Sequence, residues 1–205
     1  MNICYIFGSL AVHTLSSEPG EGDLIIAADR GYETLRKLCI APDIVLGDFD
    51  SLKYTPKGDN VIKYPVMKDD TDLLLAIKAG LKKGYKDFII YGCIGGDRLD
   101  HTFASIQSAA YIKDNGGSCW FIDNDTTITL LENETIHFEK NQKGYISVFS
   151  YSEKATVSIN GLQYNITEKK LSQSYPLGVS NHFIGEEATI TAHMGRVLVI
   201  TKEEV

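Results

Sequence analysis

Apolar and polar residues along this chain follow two patterns, and the change between them falls near residue 125. In the first stretch, short unbroken apolar runs alternate with segments of helical period. Residues 3–7, 24–28, 44–46, 61–64, 88–91 and 118–122 read as strands. Helices are expected over 32–38, where Leu35 and Leu38 are apolar, and over 72–83, where Leu73, Ile77 and Leu81 keep helical spacing. Asp70 and Thr71 are good N-caps for the second of these, and Gly84 is its stop. A third helix spans about 99–113 and ends near Asn115-Gly116-Gly117. Strands that alternate with helices imply a mostly parallel sheet with helices on its faces.

Beyond Asp123-Asn124-Asp125 the helical period disappears. Runs rich in Thr, Ile, Val, Tyr and Phe recur at 127–131, 135–138, 145–150, 156–159, 163–166, 188–192 and 197–201, and Asn160-Gly161 is a hairpin signal. This half reads as an antiparallel sandwich. The expected fold class is therefore a Rossmann-like, mostly parallel α/β domain over 1–125, then an all-β antiparallel β-sandwich over 126–205, with no long linker.

Composition narrows the picture. A formal charge of -7 argues against a nucleic-acid backbone as partner. No stretch approaches the roughly 20 apolar residues that a membrane span needs, and the N-terminal residues lack the basic region of a signal peptide. Cys4, Cys39, Cys93 and Cys119 form no C-x-x-C pair, and three sit in or beside apolar runs. Reduced, buried thiols in a cytoplasmic protein are expected.

The chemistry gathers at the strand exits, where open α/β sheets bind ligands. Asp48 and Asp50 leave the 44–46 run two residues apart. On an extended backbone their side chains share one side, about 7 Å apart at Cα. Two such oxygen donors suit Mg²⁺, which favours one or two carboxylates plus substrate phosphates. Three more clusters fall at exits: Asp29-Arg30-Gly31, Lys68-Asp69-Asp70-Thr71-Asp72 and Gly95-Gly96-Asp97-Arg98-Leu99-Asp100-His101. Each has a plainer reading: Asp29 and Thr71 as helix caps, Asp72 as a partner of a helix dipole, Gly95-Gly96 as a turn, His101 as an ordinary histidine. Four such clusters at exits favour a phosphate site. Glycines before a helix cradle phosphate, and Arg98 can grip it bidentately. Trp120 lies within a strand and reads as core.

In order and spacing, Asp29-Arg30-Gly31, Pro42-Asp43, Gly47-Asp48-Phe49-Asp50-Ser51, Lys68-Asp69-Asp70-Thr71-Asp72 and Gly95-Gly96-x-Arg98-x-Asp100-His101 resemble the motifs of the thiamin pyrophosphokinases. Gly178-Val179-Ser180-Asn181 resembles that family's thiamin-side motif, so the likeness spans nearly the whole chain. It implies transfer of diphosphate from ATP to the thiamin hydroxyl, giving thiamin diphosphate and AMP. It also implies a homodimer whose active site lies between the α/β domain of one subunit and the sandwich of the other. Asp48, Asp50 and Asp72 are then the Mg²⁺ ligands, with Asp29 as ligand or support. Asp48, Asp50, Asp72 and Arg98 carry catalysis. Asp29, Lys68, Thr71, Gly95, Gly96, Arg98, Asp100 and His101 meet ATP, and Ser180 and Asn181 meet the aminopyrimidine of thiamin. Two rivals stay open: a diphosphokinase for another alcohol such as a hydroxymethylpterin, and a non-catalytic nucleotide or thiamin sensor.

Overall fold

The structure, a computed structural model, describes residues 2–204. It divides into two compact units, the first ending at Asn124 and the second beginning at Asp125.

The first unit is a parallel sheet with helices. Its strands are β1 (Ile3–Phe7), β2 (Leu24–Ala28), β3 (Ile44–Gly47), β4 (Val61–Lys63), β5 (Asp87–Tyr91) and β6 (Ser118–Asp123), with helices α1 (Gly31–Lys37), α2 (Asp72–Lys82) and α3 (Leu99–Asp114). The strand order is β6-β5-β1-β2-β3-β4, and every pairing in it is parallel. The chain runs outward from β1 to β4 and then returns to lay β5 and β6 on the other side of β1. The order thus reverses between β1 and β5, the place where such sheets open a crevice at their carboxyl ends. β1 is buried from Cys4 to Phe7, as a central parallel strand covered on both faces must be. Tyr5, Phe7, Leu35, Val45, Phe49, Leu52 and Tyr91 form one cluster, with Phe7 stacked on Tyr91 at 5.4 Å. Burial pushes the Cys4 thiol up to about 12, so it is no nucleophile. Cys39, by contrast, is exposed just past α1. The expectation of buried thiols fails there: the chain turns through a left-handed residue, Cys39 itself (φ 57°), as it leaves the helix.

The second unit holds β7 (Thr126–Glu132), β8 (Thr135–Phe138), β9 (Tyr145–Ser150), β10 (Lys154–Asn160), β11 (Ile166–Ser172), β12 (Asn181–His182), β13 (Ala188–Met194) and β14 (Arg196–Lys202). Two antiparallel arrays result, β12-β9-β14-β7 and β11-β10-β13-β8. Alternate residues of both, among them Ile146, Val148, Val157, Ile159, Ile190, Val197 and Val199, share one core. The strand expected over 163–166 is displaced: those residues are mostly loop, and the partner of β10 begins at Ile166. Its residues 167–170, Thr-Glu-Lys-Lys, are all exposed. This is an edge strand guarded by charge, which carries no apolar alternation for a sequence reading to find.

Helix α1 is seated against β1 with no space for a side chain at its first residue. A Cβ on Gly31 would lie 1.8 Å from the Phe7 carbonyl oxygen. Gly31→Ala should therefore lower the unfolding free energy by about 3 kcal/mol through forced backbone displacement. Gly20→Ala, whose methyl meets nothing nearer than 3.9 Å, should change it by less than about 0.5 kcal/mol. Urea denaturation of both variants checks this, and coincident midpoints would show that α1 yields without cost.

Candidate active site

The carboxyl ends of β1, β2 and β3 bring the first acidic residues together. Asp29 follows β2 in a left-handed conformation (φ 50°) and is only 8% exposed. Its N–H donates to the Leu46 carbonyl at 2.8 Å, which ties it to β3. The hydroxyls of Ser51 (2.5 Å) and Ser9 (3.3 Å) donate to its Oδ2, whereas its buried Oδ1 has no hydrogen bond. Asp29 does not cap α1: the cap position is Arg30, and no side chain bonds there. Gly47 permits the close approach, since a Cβ there would sit 3.1 Å from the Asp29 Cα at a φ of 149°. The loop that starts at Ser9 is held from beneath by β-strand tyrosines. Tyr91 Oη accepts from the Ser17 N–H at 2.9 Å and donates to the Ser17 carbonyl at 3.0 Å, and Tyr5 Oη donates to the Glu18 carbonyl at 3.2 Å. Neither tyrosine was singled out from the sequence, because both sit in runs that read only as core.

Asp48 and Asp72 meet on one ammonium. Lys68 Nζ lies 2.8 Å from Asp48 Oδ2 and 3.1 Å from Asp72 Oδ1, the first a hydrogen bond and the second a charge contact without hydrogen-bond geometry. The Lys68 hydrogen bond holds the Asp48 carboxyl below its usual range against the opposing effect of burial. Burial pushes Asp72 up; Lys68 opposes this, and the charges of Asp48 and Asp29 add to it. Burial alone would lower the pKa of Lys68, but the carboxylates of Asp48 and Asp72 beside it outweigh that and raise it. Asp29, Asp48, Asp72 and Lys68 are therefore one electrostatic group.

Asp50 stands apart, which corrects the expected same-side pair. β3 ends at Gly47, and Phe49 adopts a left-handed conformation (φ 64°), so the backbone is not extended between the two aspartates. Phe49 is 3% exposed and buried with Leu52 in the core; its anchoring makes the turn. The Asp50 N–H donates to Asp48 Oδ1 at 3.1 Å, and Asp50 itself is exposed.

The loop that carries Lys68 is fastened at its far end. Thr71 is the N-cap of α2, its hydroxyl accepting from the Leu74 N–H at 3.1 Å. Asp70 does not share the cap; it pairs with Lys78 at 2.6 Å.

The glycine loop after β5 forms a second cluster. Gly95 and Gly96 are both left-handed (φ 83° and 69°). The Gly95 N–H is already taken by the Thr102 hydroxyl at 3.0 Å. Arg98 forks onto Asp100 through Nε at 2.9 Å and Nη2 at 2.6 Å, with both side chains about two-thirds exposed. Arg98 brings the Asp100 carboxyl down to about 2. His101 is exposed, and its N–H donates to the Arg98 carbonyl as α3 begins.

In the second unit, Ser180 is exposed and left-handed (φ 58°), with its N–H on the Ser147 hydroxyl at 3.1 Å. Asn181 is 6% exposed and faces inward. Its Oδ1 accepts from the N–H groups of Tyr164 (3.0 Å) and His182 (2.9 Å), and its Nδ2 donates to the Tyr164 carbonyl (2.7 Å). That amide is a latch for the 161–165 loop.

Among the described residues no three Asp, Glu, His or Cys side chains converge tightly enough to hold a metal ion by themselves. The donor set still fits Mg²⁺. Two carboxylates already share a cation, and the buried Asp29 has an oxygen without a hydrogen bond. One or two carboxylates are what this ion takes when phosphates complete its shell.

Comparison with known proteins identifies the family. Residues 19–121 match the model of the thiamin pyrophosphokinase catalytic domain, and residues 133–197 match that of the thiamin pyrophosphokinase vitamin B1 binding domain. The thiamine pyrophosphokinase of Bacillus subtilis (strain 168) is 28% identical over 194 residues, which covers 91% of this chain and 90% of that protein. A crystal structure of thiamine pyrophosphokinase from Bacillus subtilis superposes with a TM-score of 0.85 at 25% identity over 100% of both chains. That of yeast thiamin pyrophosphokinase gives 0.77 at 16% identity over 99% of this chain and 86% of the other, a likeness of fold alone. With its acidic strand exits inside the first matched region and Ser180 and Asn181 inside the second, the chain belongs to the thiamin pyrophosphokinase family.

Proposed function

We propose that this protein is a thiamin diphosphokinase: it moves diphosphate from ATP to the hydroxyl of thiamin and yields thiamin diphosphate and AMP. The observation that carries the reading is the shared ammonium of Asp48 and Asp72 beside the buried Asp29, at strand exits of a chain from this family. In this reading the first unit is a Rossmann-like ATP domain and the second a β-sandwich for thiamin. Two copies pair so that each cleft draws on both, in the cytoplasm.

When bound, Mg²⁺ supplies charge neutralisation on the phosphates, with Asp48, Asp72 and Asp29 as its holders and Asp50 at the rim. The thiamin oxygen forms a bond to the β-phosphorus, the bridging bond between the α-phosphate and the β-phosphorus breaks, and AMP departs with the bond's electrons. The proton of the alcohol passes to a carboxylate or to solvent. Phosphoryl chemistry of this kind needs positioning and charge more than covalent help. Lys68 is held within the acidic group, where it can turn a donor to the polyphosphate. Arg98 exchanges Asp100 for phosphate oxygens, as a planar fork matches both. Gly96 and the start of α3 line the same loop, with Thr71 and His101 beside their own helix starts. Ser180 points outward for thiamin, while Asn181 shapes the loop behind it.

The direct test is release of AMP from ATP and magnesium. AMP should form with thiamin and not with a hydroxymethylpterin; the reverse preference, or binding without AMP, would overturn the assignment. Asp48→Asn and Asp72→Asn should each lower kcat by roughly 100-fold or more with the fold kept. Asp50→Asn should lose less, since Asp50 is exposed and outside the shared ion pair. Steady-state kinetics decide this, and a larger loss at Asp50 than at Asp48 would contradict the ranking.

Lys68→Met removes the cation common to both carboxylates. Asp48 loses the partner that lowers its pKa, and Asp72 the one that offsets burial, so the folded state binds protons more tightly. A folded state with raised carboxyl pKa values gains stability as pH falls, and loses it as pH rises through those values. The deficit of the variant, about 2 kcal/mol near pH 7.5, should therefore shrink near pH 4.5. Denaturant titrations at the two pH values check the sign, and an unchanged deficit would show that the carboxylates do not sense Lys68.

A further inference from the structure

The side chain that organises the glycine loop is one that the reaction chemistry does not call for. Thr102 lies in the first turn of α3, half-buried. Its Oγ1 accepts from the Gly95 N–H at 3.0 Å and donates to the Gly95 carbonyl at 3.2 Å, so one hydroxyl closes both backbone groups of a single residue. The N–H of Thr102 donates to the Arg98 carbonyl at 3.2 Å. Thr102 thus holds both ends of the 95–98 loop, with its side chain at one end and its backbone at the other. One turn later Ser105 adds a second clasp, its hydroxyl donating to the Cys93 carbonyl at 2.6 Å.

The loop needs such a clasp. Gly95 and Gly96 are consecutive and both left-handed, and residues 95–101 are exposed, so little packing restrains them. Glycine gains the most freedom of any residue when it is released. The fork of Arg98 onto Asp100 restrains the guanidinium within the loop but does not fix the loop itself.

We propose that Thr102 is a positioning residue: its hydroxyl sets the conformation of the Gly95–Gly96 turn and thereby the place from which Arg98 meets the polyphosphate of ATP. The proposal rests on the ATP-dependent reading above. It separates a shape-keeping hydroxyl from the groups that touch phosphate, and it assigns the Gly95 N–H to the protein rather than to the ligand.

The test uses the full-length protein with ATP and magnesium, without thiamin. Thr102→Val keeps the shape and removes the hydroxyl, and Thr102→Ser restores it. Calorimetric titration should show ATP binding weakened about tenfold in Thr102→Val, the scale of a lost hydrogen-bonded clasp, and within about twofold of wild type in Thr102→Ser. In an Arg98→Ala background, Thr102→Val should cost little more, because the group it positions is gone. Amide exchange at Gly95 should quicken in Thr102→Val and not in Thr102→Ser. Equal losses with and without Arg98, wild-type ATP affinity in Thr102→Val, or unchanged Gly95 exchange would each overturn the proposal. ATP binding and exchange are read without turnover, so a failed thiamin assay would count against the thiamin reading and leave both of these readouts interpretable.

Discussion

The arrangement at the strand exits depends on one ammonium held between two carboxylates. Asp48 comes from the end of β3 and Asp72 from the first turn of α2, two elements separated by a long excursion through β4. Lys68 joins them at 2.8 and 3.1 Å. Left alone, two half-buried negative charges beside a third at Asp29 would repel and each lose solvation, a cost of several kcal/mol. The ammonium offsets that cost and fixes the spacing at the same time. The surrounding contacts keep it there: Thr71 caps α2, Asp70 grips Lys78, and Ser51 and Ser9 orient Asp29. Asp72 is also placed well by its helix, whose N-terminal end favours an anion.

Much of the first unit was legible in the sequence because its signals are local. β1 and β2 are unbroken apolar runs, and the helices carry caps and spacing that follow from hydrogen-bonding rules. The grouping of Asp29, Asp48, Lys68 and Asp72 was also foreseeable, since each falls at a strand exit or a helix start. What escaped was set by burial of a neighbour. Phe49 sinks into the core, turns the backbone left-handed and sends Asp50 away from the direction an extended chain implies. No periodicity announces that, because one aromatic between two acids can lie on either side.

The second unit hid more, for two physical reasons. β11 lies at a sheet edge with residues 167–170 exposed, so its identity is carried by backbone pairing that composition does not mark. Asn181 resembles a polar ligand contact in sequence, yet its amide bonds the Tyr164 and His182 backbone and lies 6% exposed. A buried asparagine must satisfy its own groups first, and a linear motif does not reveal how many of them remain.

The position of β14 has a consequence for how this chain is made. β14 (Arg196–Lys202) is the last strand in sequence, yet it lies inside its sheet, between β9 and β7. The first unit ends at Asn124 and can close while the ribosome is still adding residues, since domains fold as units during synthesis. The second unit cannot: until Lys202 has cleared the exit tunnel, β7 and β9 have no neighbour between them, and their inner edges stay unpaired. Unpaired edges invite association with other chains. On a crowded polysome the period between the emergence of β9 and that of β14 is when nascent copies are most open to mispairing, so translation speed over the stretch from β9 to β14 bears directly on yield.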